Sequence, residues 1–245
     1  MKHLALFNGI GGFQLAANWI GWDNVAHVEI NEWCNKVVNQ HFPNSKCYTD
    51  IKKFNGKEYA NTIDIISGGF PCQPFSVAGE RKGKEDDRYL WPEMLRTIRE
   101  IQPSYIVGEN VNGLVNWNGG LVFNEVQTDL ENEGYEVQPV ILPACAVNTP
   151  HYRQRIWFIA NSYKSGLQKT IKGYGQTIPI FTTPPNEFSR FNANKWGICK
   201  RNIGELRTDN GVPNWLDRIA SLGNAIVPQV AYEIFKVIDT INKMQ

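Results

Sequence analysis

Thr62-Ile63-Asp64-Ile65-Ile66-Ser67-Gly68-Gly69-Phe70-Pro71-Cys72-Gln73-Pro74-Phe75-Ser76 is the stretch on which the reading of this chain turns. Residues 62–67 are rich in β-branched side chains and read as a short buried strand. Gly68-Gly69 follow, and then a cysteine flanked by Pro71 and by Gln73-Pro74. The prolines fix φ on either side of it, and the glycines let another molecule approach the backbone closely. A structural cysteine belongs on a core face, not on a stiff polar loop leaving a strand. Cys72 therefore reads as a nucleophilic thiolate, against the plainer alternative of a turn that happens to contain a cysteine.

The same strand-then-loop pattern recurs on both sides. His3–Phe7 reads as a first strand, Asn8-Gly9-Ile10-Gly11-Gly12 as a tight loop and Phe13–Ile20 as a helix, so that backbone N–H groups and a helix N-terminus face a ligand. The spacing is GxGG and not the GxGxxG of dinucleotide sites. Asn24–Glu29 predicts a second strand ending in an acid that can accept hydrogen bonds from both hydroxyls of a ribose. Asn31 can cap a helix reaching Phe42. Tyr48-Thr49-Asp50-Ile51 ends a short third strand. Residues 77–88, with Gly79, Lys82, Gly83 and Lys84, read as a polar loop. The next helix runs from Asp87-Arg88-Tyr89-Leu90-Trp91 to about Ile101, with Pro92 in its first turn. Ser104–Gly108 predicts a fifth strand with Glu109-Asn110-Val111 after it. A helix from Gly119-Gly120 to Gly134 and strands at Tyr135–Leu142 and Ile156–Ala160 follow. Alternation of this kind over residues 1–160 argues for an α/β fold, a doubly wound, mostly parallel Rossmann-like sheet.

Residues 161–215 change character: they are rich in Lys, Thr, Asn, Gly and Pro, with aromatic residues such as Tyr174, Phe181 and Trp196 interleaved. A small irregular or β-rich insert is predicted there, between a body of residues 1–160 and a returning segment, 216–245, whose last helix spans Gln229 to about Lys243. Charge follows the same division. Residues 1–160 carry 14 Lys/Arg and 18 Asp/Glu, whereas residues 161–215 carry 8 and 3. The net charge of +1 hides this asymmetry. A basic insert on a mildly acidic body suits a phosphate-contacting module, although a solvated lysine-rich surface would have the same composition.

Composition excludes several classes. The 245 residues suffice for one large domain, or one plus a small one. There is no apolar run long enough for a membrane helix, and Met1–Phe7 does not resemble a signal peptide. The five cysteines are irregularly spaced and contain no CxxC pair, which argues against a disulfide framework and against zinc. A reducing cytoplasm fits best.

Gly69-Phe70-Pro71-Cys72-Gln73-Pro74-Phe75-Ser76 resembles the catalytic loop of the C5-cytosine-specific DNA methyltransferases, which use S-adenosylmethionine. The resemblance extends in order through Phe7-x-Gly9-x-Gly11-Gly12, Glu109-Asn110-Val111, Arg153-x-Arg155 and Leu222-Gly223-Asn224-Ala225-Ile226-Val227-Pro228. It implies that Cys72 adds to C6 of cytosine, that Glu109 bonds N3 and the exocyclic amine, that Arg155 contacts the base O2 and that Arg153 helps to hold the catalytic loop. It implies cofactor contacts from Phe7, Gly9, Gly11, Gly12, Glu29, Asp50, Ile51, Pro71, Leu90 and Asn224, and no metal. The partner implied is double-stranded DNA, with the target base flipped out of the stack. The chain itself is expected to be a monomer in the cytoplasm of a bacterial or phage-infected cell. In the family the loop at 77–88 closes over DNA, and residues 161–215 occupy the place of the target-recognition region. At 55 residues that insert would suit a short or relaxed target. One departure stands out: His151 replaces the glutamine that usually opens Gln-x-Arg-x-Arg. The same motifs occur in relatives that methylate tRNA, and an inactive DNA-binding relative is a further alternative. A restriction-modification system with a cognate restriction enzyme and a stand-alone enzyme are both open.

Overall fold

Alternation of side chains along the central strands separates two cores. The computed structural model describes residues 1–71, 89–147, 149, 152–163 and 222–244. Among them, β1 (Lys2–Leu6), β2 (Asp23–Val28), β3 (Lys46–Tyr48), β4 (Ile65–Gly69), β5 (Tyr105–Val111), β6 (Tyr135–Pro143) and β7 (Gln154–Ser162) form one sheet in the order β3-β2-β1-β4-β5-β7-β6. The pairings β1–β2, β1–β4, β2–β3 and β4–β5 are parallel, while β7 runs antiparallel to both β5 and β6. Leu4, Leu6, Ile66, Ile106 and Phe158 face one core, filled by Met94, Leu95 and Ile98 of α3 (Trp91–Ile101) and Val122 and Val126 of α4 (Leu121–Asn132). Ala5, Ile65, Val107 and Trp157 face the other, against Phe13, Ala16 and Ala17 of α1 (Gly12–Ile20) and Ile234 and Phe235 of the C-terminal helix, α5 (Pro228–Lys243). The sheet is therefore covered on both faces, the doubly wound arrangement expected from the alternation of elements. A helix α2 (Glu32–His41) links β2 to β3, and the Asn31 side chain caps it by accepting from Trp33 N at 2.9 Å and Cys34 N at 3.1 Å.

Of the boundaries that differ from the sequence reading, three bear on the cavity described below. β5 does not stop before Glu109-Asn110-Val111 but runs through them, because Glu109 pairs with Trp157 and Val111 with Arg155 across the antiparallel ladder. β3 ends at Tyr48, so Asp50 and Ile51 lie in the turn beyond it. β4 begins at Ile65: Thr62 is instead bonded back to Tyr59, and the Asn61 N–H to Ile101 O. Cys72, the 77–88 loop, His151, residues 164–215 of the predicted insert and residues 216–221 of the returning segment fall outside the described residues. No helix among the described residues is long and apolar enough to cross a membrane.

The two ends of the chain meet on one face. Phe235 of α5 stacks on Trp22, with ring centroids 4.8 Å apart, and on Phe13, at 6.2 Å. Trp22 Nε1 donates to Asp239 Oδ1 at 2.9 Å, which in turn pairs with Lys243 at 2.6 Å. Aromatic burial of this size makes α5 part of the core and not an appendage. It also brings Ile226 onto the glycine loop, where a Cβ on Gly12 would lie 2.6 Å from Ile226 Cγ1.

Two histidines are buried beneath β1 and β2. His3 Nδ1–H donates to Asn24 Oδ1, and its Nε2 accepts from the Ser67 hydroxyl, each at 2.7 Å. His27 Nδ1 meets the Ser45 hydroxyl at 2.9 Å. Burial lowers both from 6.5 to about 4, so each is neutral in the fold. The unfolded chain then binds more protons than the fold wherever the pH lies between about 4 and 6.5. Stability should be unaffected at pH 7 and fall as pH drops through that window, by up to about 3 kcal/mol per histidine. Urea unfolding at pH 7, 6, 5 and 4.5 measures this. A flat midpoint for His3→Asn/His27→Asn across the interval in which the wild type declines would attribute the loss to these two rings.

Candidate functional site

Parallel strands deliver their C-terminal ends to one edge of the sheet, and the strand order reverses between β1 and β4, where open α/β folds place their ligands. The loops leaving that edge line a cavity of about 700 Å³. Its size is that of a site for a single small organic molecule.

One wall comes from the ends of β1, β2 and β3: Phe7, Gly9, Glu29, Asp50 and Ile51 all line the cavity. Phe7 and Gly9 both have positive φ, 50° and 54°, and a Cβ at Gly9 would meet nothing within 4 Å. Glu29 is held from two sides. Its Oε2 accepts Gly9 N–H at 2.7 Å and its Oε1 accepts Asn31 N–H at 2.8 Å. Each oxygen keeps a further lone pair, and the carboxylate is fixed before any ligand arrives. Asp50 Oδ1 accepts from Lys52 N at 2.9 Å. Gly11 and Gly12 do not reach the lining. Gly11, at φ 88°, caps α1 and sits against Val38 and Phe42, and Gly12 lies under Ile226. They shape the cradle from behind, since a side chain at Gly12 would push α5's lead-in away.

The opposite end holds Pro71, Leu90, Glu109, Arg153, Arg155 and Asn224. Glu109 is 8% exposed, and Arg155 Nε stands 3.0 Å from its Oε1 as an ion pair. That contact lacks hydrogen-bond alignment, so Oε1 is a buried acceptor without a hydrogen-bond donor. Burial pushes the Glu109 carboxyl up from 4.5 to about 7, against the opposing pull of the Arg155 and Arg153 cations. A carboxyl poised near neutrality can donate a proton or a hydrogen bond at physiological pH. Arg155 Nη1 donates to Gln154 O at 2.8 Å. Arg153 Nη1 donates to Gly223 O at 2.7 Å, tying β7's entry to the segment that carries Asn224. Burial and the neighbouring Arg155 both lower the Arg153 guanidinium. Leu90 serves in two ways, packing against the core while lining the cavity.

Two residues that the sequence analysis quoted within their motifs, without assigning them to the site, complete this end. Asn110 Nδ2 donates to Phe70 O at 3.0 Å, and its Oδ1 accepts Val111 N at 2.8 Å. It thereby fastens the backbone two residues before Cys72 to β5. Gly69 stands opposite Glu109 in the β4–β5 register, and a Cβ there would lie 3.3 Å from Glu109 Oε2. A glycine at the end of a strand, next to a loop already marked as chemical, was the available signal for it. Among the described residues, no three His, Cys, Asp or Glu side chains gather as a metal site requires.

Residues 1–210 match the family model described as C-5 cytosine-specific DNA methylase. The chain is 27% identical over 249 residues to the type II methyltransferase M.HgiCII of Herpetosiphon aurantiacus, an alignment covering 98% of this chain and 53% of that protein. It is 34% identical over 160 residues to the type II methyltransferase M.Eco47II of Escherichia coli, covering 64% of this chain and 38% of that one. Among solved structures, a prophage-encoded E. coli protein described as a DNA modification methyltransferase superposes with a TM-score of 0.58 at 27% identity, covering 70% of this chain and 48% of its own. The chain thus spans about half the length of these relatives, or less.

The Glu109 environment makes a direct prediction. Carboxyl-carbon NMR of the labelled protein should show Glu109 titrating near pH 7. Arg155→Gln should move that titration to higher pH, because the cation that favours ionisation has gone. A Glu109 titration in the ordinary carboxylate range would contradict the burial argument.

Proposed function

This chain belongs to the C-5 cytosine-specific DNA methylase family, and we propose that it transfers a methyl group from S-adenosylmethionine to C5 of a flipped-out cytosine in DNA. The observation that carries the reading is the shared cavity. Ribose- and adenine-type acceptors (Glu29, Asp50) line one end, and a buried carboxyl with two guanidinium groups lines the other.

The residues present suit the methyl donor. Glu29, preset by two backbone N–H groups, is placed to accept from ribose hydroxyls. Asp50 would take the adenine amine, with Ile51 against the ring. Phe7, Gly9 and Leu90 supply close backbone and apolar contact, and Pro71 and Asn224 close the methyl-bearing end. S-adenosylmethionine supplies an electrophilic methyl group on a sulfonium.

The chemistry falls to the far end. C5 of cytosine is a poor nucleophile. Addition of the Cys72 thiolate to C6 pushes electrons toward N3 and makes C5 enamine-like. Glu109, in its acid form, donates to N3 and stabilises the charge that builds there. Arg155 approaches O2 of the same ring, and Arg153 holds the neighbouring segment in place. C5 would take the methyl group as the methyl–sulfonium bond breaks and S-adenosylhomocysteine leaves with that electron pair; a base then removes the C5 proton, and elimination breaks the C6–S bond to restore the Cys72 thiolate. A stacked base cannot reach this cavity, so the reaction requires base flipping, at a cost of a few kcal/mol in unstacking. Residues 161–215 are assigned to target recognition on their basic and aromatic composition.

Expression in a host without cytosine methylation, followed by genome-wide mapping of 5-methylcytosine, tests this reading. One consistent methylated sequence is expected. Cys72→Ala should abolish it while leaving S-adenosylhomocysteine binding intact. An unmodified genome from soluble protein that methylates tRNA in vitro would replace DNA by RNA as the substrate. Turnover retained by Cys72→Ala would overturn the nucleophile assignment.

A further inference from the structure

We infer that Arg96, which lies outside the cavity, is a positioning residue for the adenosine end of the methyl donor. The inference rests on the cavity being the donor site. Asp50 and Ile51 belong to no strand or helix, yet the reading above needs them fixed to a fraction of an ångström. The turn that carries them, residues 50–56, is tied down from α3. Arg96 Nη2 donates to Ile51 O at 2.7 Å, and Nη1 donates to Phe54 O at 3.1 Å. Glu93 and Glu100, one turn to either side, orient the guanidinium: Nε reaches Glu93 Oε2 at 2.8 Å and Nη1 reaches Glu100 Oε2 at 2.9 Å. Glu100 Oε2 also accepts Gly56 N–H at 2.8 Å. A Cβ at Gly56 would lie 2.8 Å from that same oxygen, so a side chain there would have to displace the Glu100 carboxylate.

One planar cation thus gathers two carbonyls of the turn and two carboxylates of the helix. Lysine cannot reproduce this, since its ammonium is a point charge without the fork. Within the turn itself, Lys53 N–H to Asp50 O, Phe54 N–H to Ile51 O, Lys52 N–H to Asp50 Oδ1 and the exposed Lys53–Asp50 ion pair at 4.0 Å add to the restraint, and the Ile51 and Phe54 side chains pack into the core, but none of these holds the Ile51 and Phe54 carbonyls from outside the turn. With Arg96 removed, Ile51 O and Phe54 O lose their fixed donors, and the turn samples positions in which Asp50 no longer meets its ligand. Binding then bears the cost of ordering the turn, while the chemistry at Glu109, on a different strand, is untouched.

The test is calorimetric titration of the whole chain with S-adenosylhomocysteine, paired with thermal unfolding, for wild type, Arg96→Gln, Arg96→Lys and Ile238→Val. Ile238 is buried on the opposite face of the sheet, so its variant lowers Tm without touching the turn. Arg96→Gln should weaken binding by about tenfold or more, Arg96→Lys should recover only part of this, and Ile238→Val should bind as wild type. With S-adenosylmethionine as substrate, KM for the donor should rise with kcat at saturation nearly unchanged. Arg96 variants that lose Tm but bind as tightly as wild type would overturn the inference and leave the cavity assignment standing. A wild-type chain that binds no S-adenosylhomocysteine would overturn both. If Arg96→Gln does not fold, Arg96→Lys alone decides: wild-type affinity refutes the inference, and weakened affinity with unchanged kcat sustains it.

Discussion

The Glu109 carboxyl sits inside the fold with one cation 3.0 Å away, and the geometry of the reacting end follows from keeping it there. Taking a carboxylate out of water is costly, and a neighbouring guanidinium offsets this only in part. The fold places the group by main-chain register. β5 is hydrogen-bonded on both edges, to β4 and to β7, so Glu109 cannot shift without disturbing two ladders. Arg155 is carried on the adjacent β7 strand, within two residues of the position directly opposite Glu109. Gly69 on the other side leaves room for the carboxyl. The same strand end carries Asn110, which anchors Phe70 O and hence the entry to the cysteine loop. One short segment of β5 thus sets both the Glu109 carboxyl and the anchor on Phe70, two residues before Cys72.

The end of the cavity lined by Glu29 and Asp50 is built differently. There the ligand-facing groups lie in turns, and each turn is held from outside. Glu29 is braced by Gly9 and Asn31, the glycine loop is backed by Ile226, and the turn after β3 is fastened to α3. Docking of α5 on α1 through Phe235 and Trp22 explains why residues near positions 9 and 224 share one cavity. The closure of the chain on itself is a structural requirement of the site as well as of the core.

Part of this site was legible in the sequence from a simple rule of parallel sheets, that whatever follows each strand ends up at one edge, and the rest from motifs that resemble a known family. Reading strand, loop and acid in order picked out the glycine loop and Glu29, and the resemblance to the family added Phe7, Asp50, Ile51, Pro71, Leu90, Glu109, Arg153, Arg155 and Asn224; these residues and Gly9 line one cavity. Gly11 and Gly12 were expected in contact with the ligand. Neither lines the cavity: the positive φ of Gly11 starts α1, and Gly12 meets Ile226, a neighbour more than 200 positions away in the chain. Asn110, Gly69 and Arg96 were not singled out for the same kind of reason. Their contacts are side chain to distant backbone, or one strand against its neighbour. Nothing in local composition or period marks such pairs. The extension of β5 through Glu109 was missed because polar residues at a strand end read as loop until the β7 ladder that pairs them is known.

The central claim is that Cys72 attacks a cytosine presented to the Glu109 end of this cavity. The most direct measurement uses a duplex in which the methylated cytosine of the mapped target is replaced by 5-fluorocytosine. Fluorine at C5 cannot leave as a proton does, so methyl transfer should stop at the stage in which sulfur is still bonded to C6. Incubation with S-adenosylmethionine, denaturation and peptide mass spectrometry should give one DNA-linked peptide, the one containing Cys72, carrying the added methyl on the base. Methylation of ordinary DNA with no denaturant-resistant complex on the fluorinated duplex, or attachment at Cys34, Cys47, Cys145 or Cys199 instead, would contradict the account.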